Sequence, residues 1–108
     1  MIKLYDVVIT ETAQKDMVAI WDYIAMDSIG NAGRFLDQLE EKLYSLEYLP
    51  ERGHVIPESE YLQTTRYRQL IHKKYRIIYR VDGKTVYILR IFQGSKLLDM
   101  ASLELETE

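Results

Sequence analysis

The chain is poor in residues that cross-link or interrupt a fold: its 108 residues include no cysteine, two prolines and five glycines. Without cysteine it has neither a disulfide framework nor a thiolate nucleophile, which is typical of a reducing cytosol. No apolar run approaches the roughly 20 residues that span a bilayer, and the N-terminal segment is too short and too acidic for a secretory signal. We therefore expect a cytoplasmic protein with no membrane partner and a single domain over residues 1–108.

Negative charge dominates the chain but is unevenly distributed. Residues 1–65 carry 5 basic and 12 acidic side chains, whereas residues 66–96 carry 9 basic side chains and 1 acidic one, within a formal net charge of −3. Residues 97–108 add 4 acids and no base, and we expect residues 100–108 to form a mobile acidic tail. The basic segment should create a positive field that attracts an acidic partner. The alternative is a solvated sheet face whose cations pair with acids on the helices.

Two helices are predicted after a first strand over residues 3–10. Thr10 and Thr12 offer oxygens that can cap the first helix, and Ser28 or Asn31 can cap the second. Apolar side chains recur at helical spacing in both segments: Ala13, Met17, Ile20 and Ile24, then Phe35, Leu36, Leu39, Leu43 and Leu46. The second helix is expected to run from Ala32 to Leu49, because Pro50 and Gly53 then stop it.

The C-terminal half has the pattern of an antiparallel sheet. After a polar loop over residues 51–65 come three strand-like runs, at 66–72, 75–81 and 85–92. Asp82-Gly83 between the last two is a strong signal for a two-residue hairpin turn. The predicted fold class is α+β: an N-terminal strand and a two-helix antiparallel hairpin packed on a small antiparallel β-sheet.

Alternation places the charges of the middle strand on one face. Tyr75, Ile77, Tyr79 and Val81 share the face expected to lie on the helices, and Arg76, Ile78 and Arg80 share the other. A turn at Asp82-Gly83 would put Tyr79 opposite Val86 and Arg80 opposite Thr85. We predict a cationic and aromatic surface on the side away from the helices, able to bind an acidic protein segment or a nucleic acid strand. The candidate partner-binding residues are Arg66, Arg68, Arg76, Arg80, Tyr87, Arg90, Gln93 and Lys96.

Signals for a metal or a cofactor are missing from the pattern. There is no cysteine, the two histidines are His54 and His72, and the carboxylates lie mainly on predicted helix faces, so we expect neither. Glu58 and Glu60 stand before the basic strands, where a nuclease could keep a general base. Acids in such a loop are more often simply solvated.

The order of these segments resembles the RelE/ParE toxin superfamily over residues 5–99. The resemblance is carried by Asp22-Tyr23-Ile24 in the first helix, by Pro50 and Gly53 after the second, and by the strand YRIIYRV at residues 75–81. It implies a toxin of a type II toxin–antitoxin, plasmid stabilisation-type, bacterial system. The resemblance also implies a cognate antitoxin protein, with operator DNA contacted only through the toxin–antitoxin complex, and leaves a homodimer open.

Gln93 and Gly94 bear on which activity of the superfamily to expect. RelE-like members are ribosome-dependent mRNA endoribonucleases, and the resemblance places Arg68 and Arg76 where such enzymes hold phosphate. Several branches carry a His or Tyr near the end of the last strand. Here that place holds Gln93 and Gly94, and neither exchanges a proton near neutral pH.

The first helix, with Asp22-Tyr23-Ile24, looks closer to the ParE branch. This resemblance implies a ParE-like toxin that inhibits DNA gyrase by protein binding, with no catalytic residue of its own, and it is the preferred prediction. The acidic overall charge agrees with this, since a protein that grips ribosome and mRNA gains from a basic surface. One alternative is the RelE-like endoribonuclease, with Arg68, Arg76 and either Glu58 or Glu60 as its catalytic candidates. A second alternative is a non-toxic degenerate member that acts as a decoy or regulator of the operon.

Overall fold

The computed structural model describes residues 4–95, so Lys96 and the predicted acidic tail lie outside the described residues. The sheet has the strand order β1-β5-β4-β3-β2, with β1 parallel to β5 and every other pair antiparallel. The α+β class is confirmed, although the sheet is mixed because the first strand joins it in parallel. In chain order the elements are β1 (Asp6–Ile9), α1 (Glu11–Ala25), α2 (Ile29–Tyr44), β2 (His54–Val55), α3 (Ser59–Leu62), β3 (Tyr67–His72), β4 (Tyr75–Asp82) and β5 (Thr85–Gln93).

Both long helices have N-caps among the predicted residues, although the second begins at Ile29 rather than at the expected Ala32. The Thr10 hydroxyl accepts the backbone N–H of Ala13 at 3.3 Å, and the Ser28 hydroxyl accepts that of Asn31 at 3.1 Å. The second helix ends at Tyr44, earlier than predicted, and continues as 3-10 turns over Ser45–Glu47 and Pro50–Arg52. Neither helix, nor any other within residues 4–95, has the length and apolar content needed to cross a membrane.

The main core lies between the helical hairpin and one face of the sheet, as predicted. Leu39, Leu43 and Leu46 are fully buried there. The partners from β4 are Tyr75, Ile77 and Tyr79, the alternate residues assigned to this face. Burial of such apolar area is the dominant stabilising term of a fold, and this side of the sheet carries most of it.

The hairpin between β4 and β5 is displaced by one residue from the predicted turn. Asp82 pairs with Thr85, so the two turn residues are Gly83 and Lys84. Gly83 has φ 61, and two-residue II′ turns require glycine at this first position. The expected pairs were therefore wrong: Tyr79 faces Ile88 and Arg80 faces Tyr87, with an irregularity in the register at Ile78.

The segment between the helices and β3 is more ordered than the predicted polar loop. It forms β2, which pairs with β3, and the short helix α3. Its residues Ile56 and Leu62 cover the second face of the sheet, where they pack with a smaller buried cluster of Tyr67, Ile78, Leu89 and Phe92. We call this second face the outer face, and residues 56–63 the covering segment.

Candidate functional site

The outer face carries the cations that alternation assigned to it, but it is not an open basic surface. Arg76 and Arg80 retain only 8% and 4% of their exposure, which contradicts the predicted solvent-facing arrangement. The covering segment accounts for this, because its apolar residues lie over the same strands. Each guanidinium is held by interactions within the protein.

Arg76 is paired with Glu58 in a two-pronged ion pair. Its Nη1 donates to Oε2 and its Nη2 to Oε1 of the carboxylate, both at 2.9 Å, while Nε donates to the Gln69 side chain at 2.8 Å. Such bidentate pairs are among the stronger polar interactions in proteins. The hydrogen bonds from Arg76 lower the pKa of Glu58 and outweigh the opposing effect of burial. Glu58 is therefore an ionised partner that fastens the covering segment to β4. The other base candidate, Glu60, is exposed in α3.

Aromatic rings stack on the guanidinium groups of the outer face, which belong to Arg76, Arg80 and Arg90. The Arg80 guanidinium carbon lies 4.5 Å from the centre of the Tyr87 ring, and Nη1 of Arg80 donates to Asp82 at 3.1 Å. Phe92 has Arg76 at 5.3 Å and Arg90 at 5.6 Å from its ring centre. Stacking of this kind is favourable and strengthens when water is excluded. Aromatic stacking therefore adds to the carboxylate contacts that Arg76 and Arg80 each have.

Arg68 lies on the other face of the sheet from Arg76. It pairs with Tyr79 across the ladder, so the two share the helix-side face, and Nη1 of Arg68 donates to the carbonyls of Glu51 and Gly53 at 3.2 and 2.8 Å. The prediction that Arg68 joins the outer surface was wrong. Arg66, which precedes β3, is exposed and stacks 5.3 Å from the Tyr67 ring centre. The two arginines proposed to hold phosphate in a nuclease are thus separated by the sheet.

Arg90 is fastened to the first helix by an acid that sequence reasoning did not single out. Nε of Arg90 donates to Oδ2 of Asp16 at 2.9 Å, and the same oxygen accepts the backbone N–H of Ile91 at 2.8 Å. Asp16 thereby supplies a hydrogen-bond acceptor for a backbone N–H of β5, just beyond the last residue of β5 that pairs with β1. The local sequence around Asp16 does not indicate this role, because the contact joins residues that are 74 positions apart.

The loop after α2 is closed by a tyrosine hydroxyl, a second feature that the sequence did not indicate. Tyr79 donates to the Pro50 carbonyl at 2.7 Å and accepts the Gly53 N–H at 3.0 Å. A Cβ atom at position 53 would lie 2.5 Å from that hydroxyl and 2.6 Å from the Gln69 carbonyl, so only glycine fits. Burial raises the pKa of Tyr79 above its usual value. The predicted helix-stopping glycine is therefore required for close packing.

In the part of the chain that the structure describes, no proton-transfer pair assembles at the end of β5. Gln93 is half-buried opposite Tyr75, so it lies on the helix-side face and its predicted place on the outer surface was wrong. Gly94 donates its N–H to the Lys74 carbonyl at 2.9 Å. His72 lies on the helix side beside Phe35, where burial, then Lys42 and Lys73, lower its pKa. Exposed His54 pairs with Gln69 and so shares the outer face. Within residues 4–95, His, Asp and Glu form no group of three that could hold a metal ion.

The strand, helical hairpin and mixed five-stranded sheet together define a fold of the RelE/ParE toxin superfamily. A family model described as the ParE toxin of the type II toxin–antitoxin system, parDE, matches residues 7–98, and the chain belongs to that family. It is a ParE-type toxin of a toxin–antitoxin system. No curated protein matches it in sequence.

Two solved structures show how widely the fold is shared. A chain of the chromosomal ParDE toxin–antitoxin system from P. aeruginosa is 23% identical with a TM-score of 0.69, over 85% of this chain and 98% of that one. A chain of the RelBE2 toxin–antitoxin complex from Mycobacterium tuberculosis is 25% identical with a TM-score of 0.61, over 82% of this chain and 96% of that one. The first of these likenesses concerns the fold alone.

Proposed function

We propose that this ParE-family toxin blocks DNA gyrase by binding it and performs no chemistry itself. The observation that supports this most is the state of Arg76, whose guanidinium is already held by both oxygens of Glu58. A nuclease would need that charge for phosphate, and a base of ordinary or raised pKa beside it. Glu58 has the opposite shift, and Gln93 and Gly94 supply no acid or base.

We further propose that a cognate antitoxin neutralises the toxin by covering the outer face. An acidic, amphipathic segment that orders on binding suits a surface of stacked cations and aromatic rings. The candidate contacts with exposed surface are Arg66, Tyr87 and Arg90. The complex, rather than the toxin alone, would then contact operator DNA in the bacterial cytoplasm.

A test of this surface must avoid the buried cations. Reversing the charge of Arg76 or Arg80 would break internal contacts and damage the fold. Arg66→Glu changes an exposed side chain instead, and Arg34→Glu is a matched reversal on α2, away from the sheet. We expect Arg66→Glu to weaken antitoxin binding about tenfold and Arg34→Glu to leave it unchanged, since an interfacial charge pair is worth about 1–2 kcal/mol. Equal affinities in calorimetry would move the interface elsewhere.

A RelE-like endoribonuclease is the second candidate, because one observation favours it. His54 shares the outer face with Gln69, which in turn holds Arg76, so an imidazole stands on the face where RNA would lie. The likeness to the RelBE2 complex is compatible with this activity. The His54 side chain makes no hydrogen bond with residues 4–95, and it would need substrate to bring it into contact.

Two assays on the purified protein separate these functions. In the first, DNA gyrase is tested for loss of supercoiling and for trapped cleavage complexes; in the second, mRNA is examined for cuts on translating ribosomes. Gyrase inhibition with intact mRNA is the expected result. Cleavage of mRNA by the wild-type protein, lost in the His54→Ala variant, would establish the ribonuclease. If neither assay shows an effect, the decoy or regulator would be the remaining function.

A further inference from the structure

An open cavity of about 560 Å³ lies where the end of α2 meets the turn between β3 and β4. Three cations from three separate segments line it: Lys42 from α2, Arg52 from the following 3-10 turn, and Lys73 from the strand turn. Glu41 and His72 also contribute to the wall. The cavity lies at the helix-side edge of the sheet and is separate from the outer face.

The charges of this cavity are not balanced within the described chain. Neither Lys42 nor Lys73 forms an ion pair with any of residues 4–95. Arg52 donates to the carbonyl oxygen of Ser45 at 3.2 Å and to its hydroxyl, both of which are uncharged partners. Three cations against the single acid Glu41 leave the lining with a surplus of positive charge. This differs from the outer face, where Arg76 and Arg80 each have a carboxylate.

We propose that Lys42, Arg52 and Lys73 form a binding site for a phosphate group. A phosphate ester carries about −1.5 to −2 charges at neutral pH and has three acceptor oxygens, so it can engage three cations at once. A carboxylate has one charge and two oxygens, and matches this lining less well. Arg52 has five N–H donors, of which Ser45 accepts two, so the others remain for phosphate oxygens, and the lysines act as mobile point charges. The site goes beyond gyrase inhibition and does not depend on it.

His72 reports on the occupancy of this site. Its ring packs on Phe35, its Nε2 is enclosed without a hydrogen-bond partner in residues 4–95, and the charged groups facing it are Lys42, Glu41, Arg52 and Lys73. Burial and the two lysines already depress its pKa. A bound phosphate would offset the lysine charges, so the pKa of His72 should rise towards its ordinary value.

The experiment is an NMR titration of the two imidazoles in the full chain, in inorganic phosphate and in sodium chloride of equal ionic strength. We expect phosphate to raise the pKa of His72 measurably and to leave that of His54, which does not line the cavity, unchanged. An equal shift at both histidines, or none at His72, would overturn the proposal. An equal shift at both histidines would mean a general ionic effect, and no shift at His72 would mean that phosphate does not bind beside it.

Matched variants tie the shift to the cavity. In the double variant Lys42→Gln/Lys73→Gln, phosphate should no longer raise the pKa of His72. Lys74→Gln removes a neighbouring charge outside the lining, and in this variant the rise in pKa should remain. An increment that persists in the double variant would contradict the assignment. Oligonucleotides with and without a 5′-phosphate then distinguish the sources: competition by both indicates backbone phosphate, and competition by the phosphorylated form alone indicates a phosphate monoester.

Discussion

The two faces of the sheet are stabilised by different means, although they share the same strands. The helix-side face is covered by two long helices, and the core between them is apolar, with Leu39 and Leu43 fully buried there. The outer face is covered by eight residues that include one short helix, and it buries Arg76 and Arg80 among aromatic rings. Charge on that face is balanced by named contacts before any partner arrives. A basic strand in the sequence is thus not by itself evidence of a basic surface.

Neighbouring isoleucines on β4 provide the largest contrast between the faces. Ile77 and Ile78 are both fully buried, one in each core. We expect Ile77→Ala to lower the free energy of unfolding by about 4 kcal/mol and Ile78→Ala by about 2 kcal/mol, because the thin covering segment can collapse onto the space left. Urea denaturation of the two variants measures the difference. Equal losses would mean that the outer core is packed as rigidly as the inner one.

The hydroxyl of Tyr79 tests how firmly the loop after α2 is held to the helix-side face. Tyr79→Phe removes one donor and one acceptor and leaves the Pro50 carbonyl and the Gly53 N–H without this partner. We expect a loss of about 2 kcal/mol, since buried polar groups left unpaired are costly. Tyr61→Phe is the control, because its ring is 78% exposed. Thermal unfolding of both variants gives the comparison, and a neutral Tyr79→Phe would show that water replaces the hydroxyl.

Removing the carboxylate charge of Glu58 should loosen the outer face alone. We expect Glu58→Gln to cost about 1 kcal/mol and to accelerate amide hydrogen exchange in residues 56–63 roughly tenfold, with little change in α1 and α2. The value is modest because the Glu58 side chain keeps 23% of its exposure and water screens the pair. Glu60→Gln, an exposed neighbour on α3, should change neither quantity. Faster exchange in the helices as well would contradict separate stabilisation of the faces.

Acid should abolish the difference in stability between wild type and Glu58→Gln, which is the smallest of these effects. The folded-state pKa of Glu58 lies below its ordinary value of 4.5, so its contribution is complete above that pH and disappears as pH falls through the folded-state pKa. The stability gap between wild type and Glu58→Gln should therefore close in that range. The pKa of His72 is also lowered, so protonation of this residue destabilises the fold below pH 6.5. This effect is the same in both proteins and cancels in the difference between them. A gap that stays constant down to low pH would mean that hydrogen bonding, rather than charge, fastens the covering segment.

Local patterns in the sequence predicted the fold well. Helical spacing placed Ala13, Met17 and Ile20 in the core, capping chemistry placed Thr10, and alternation separated Ile77 from Ile78. These properties depend on residues close together in the chain, where period and propensity act directly. The hairpin turn was wrong by one residue because Asp82 can stand either in a turn or at the last pair of a ladder, and only the glycine position is fixed by φ.

The candidate site was predicted less completely because its contacts are long-range. Nothing in the loop pattern indicated that Glu58 pairs with Arg76 or that Ile56 covers Ile78, since the segment reads as polar. Arg68 was assigned to the outer surface because it alternates with Tyr67 and Gln69, but its register opposite Tyr79 places it on the other face. Burial of a cation depends on what lies over it, and this is decided by tertiary packing.

The parallel pairing of β1 with β5 has a consequence for how the protein is made. Thr10, which directly follows the first strand, donates its hydroxyl to the Ile88 carbonyl across 78 positions of the chain. At about 5–20 residues per second, a ribosome needs roughly 4–16 s to synthesise that interval. Contacts so distant in sequence also form slowly in folding. Until β5 emerges, α1 and α2 have no complete sheet to cover their apolar stripes, so the core closes only after Thr85–Gln93 has been synthesised.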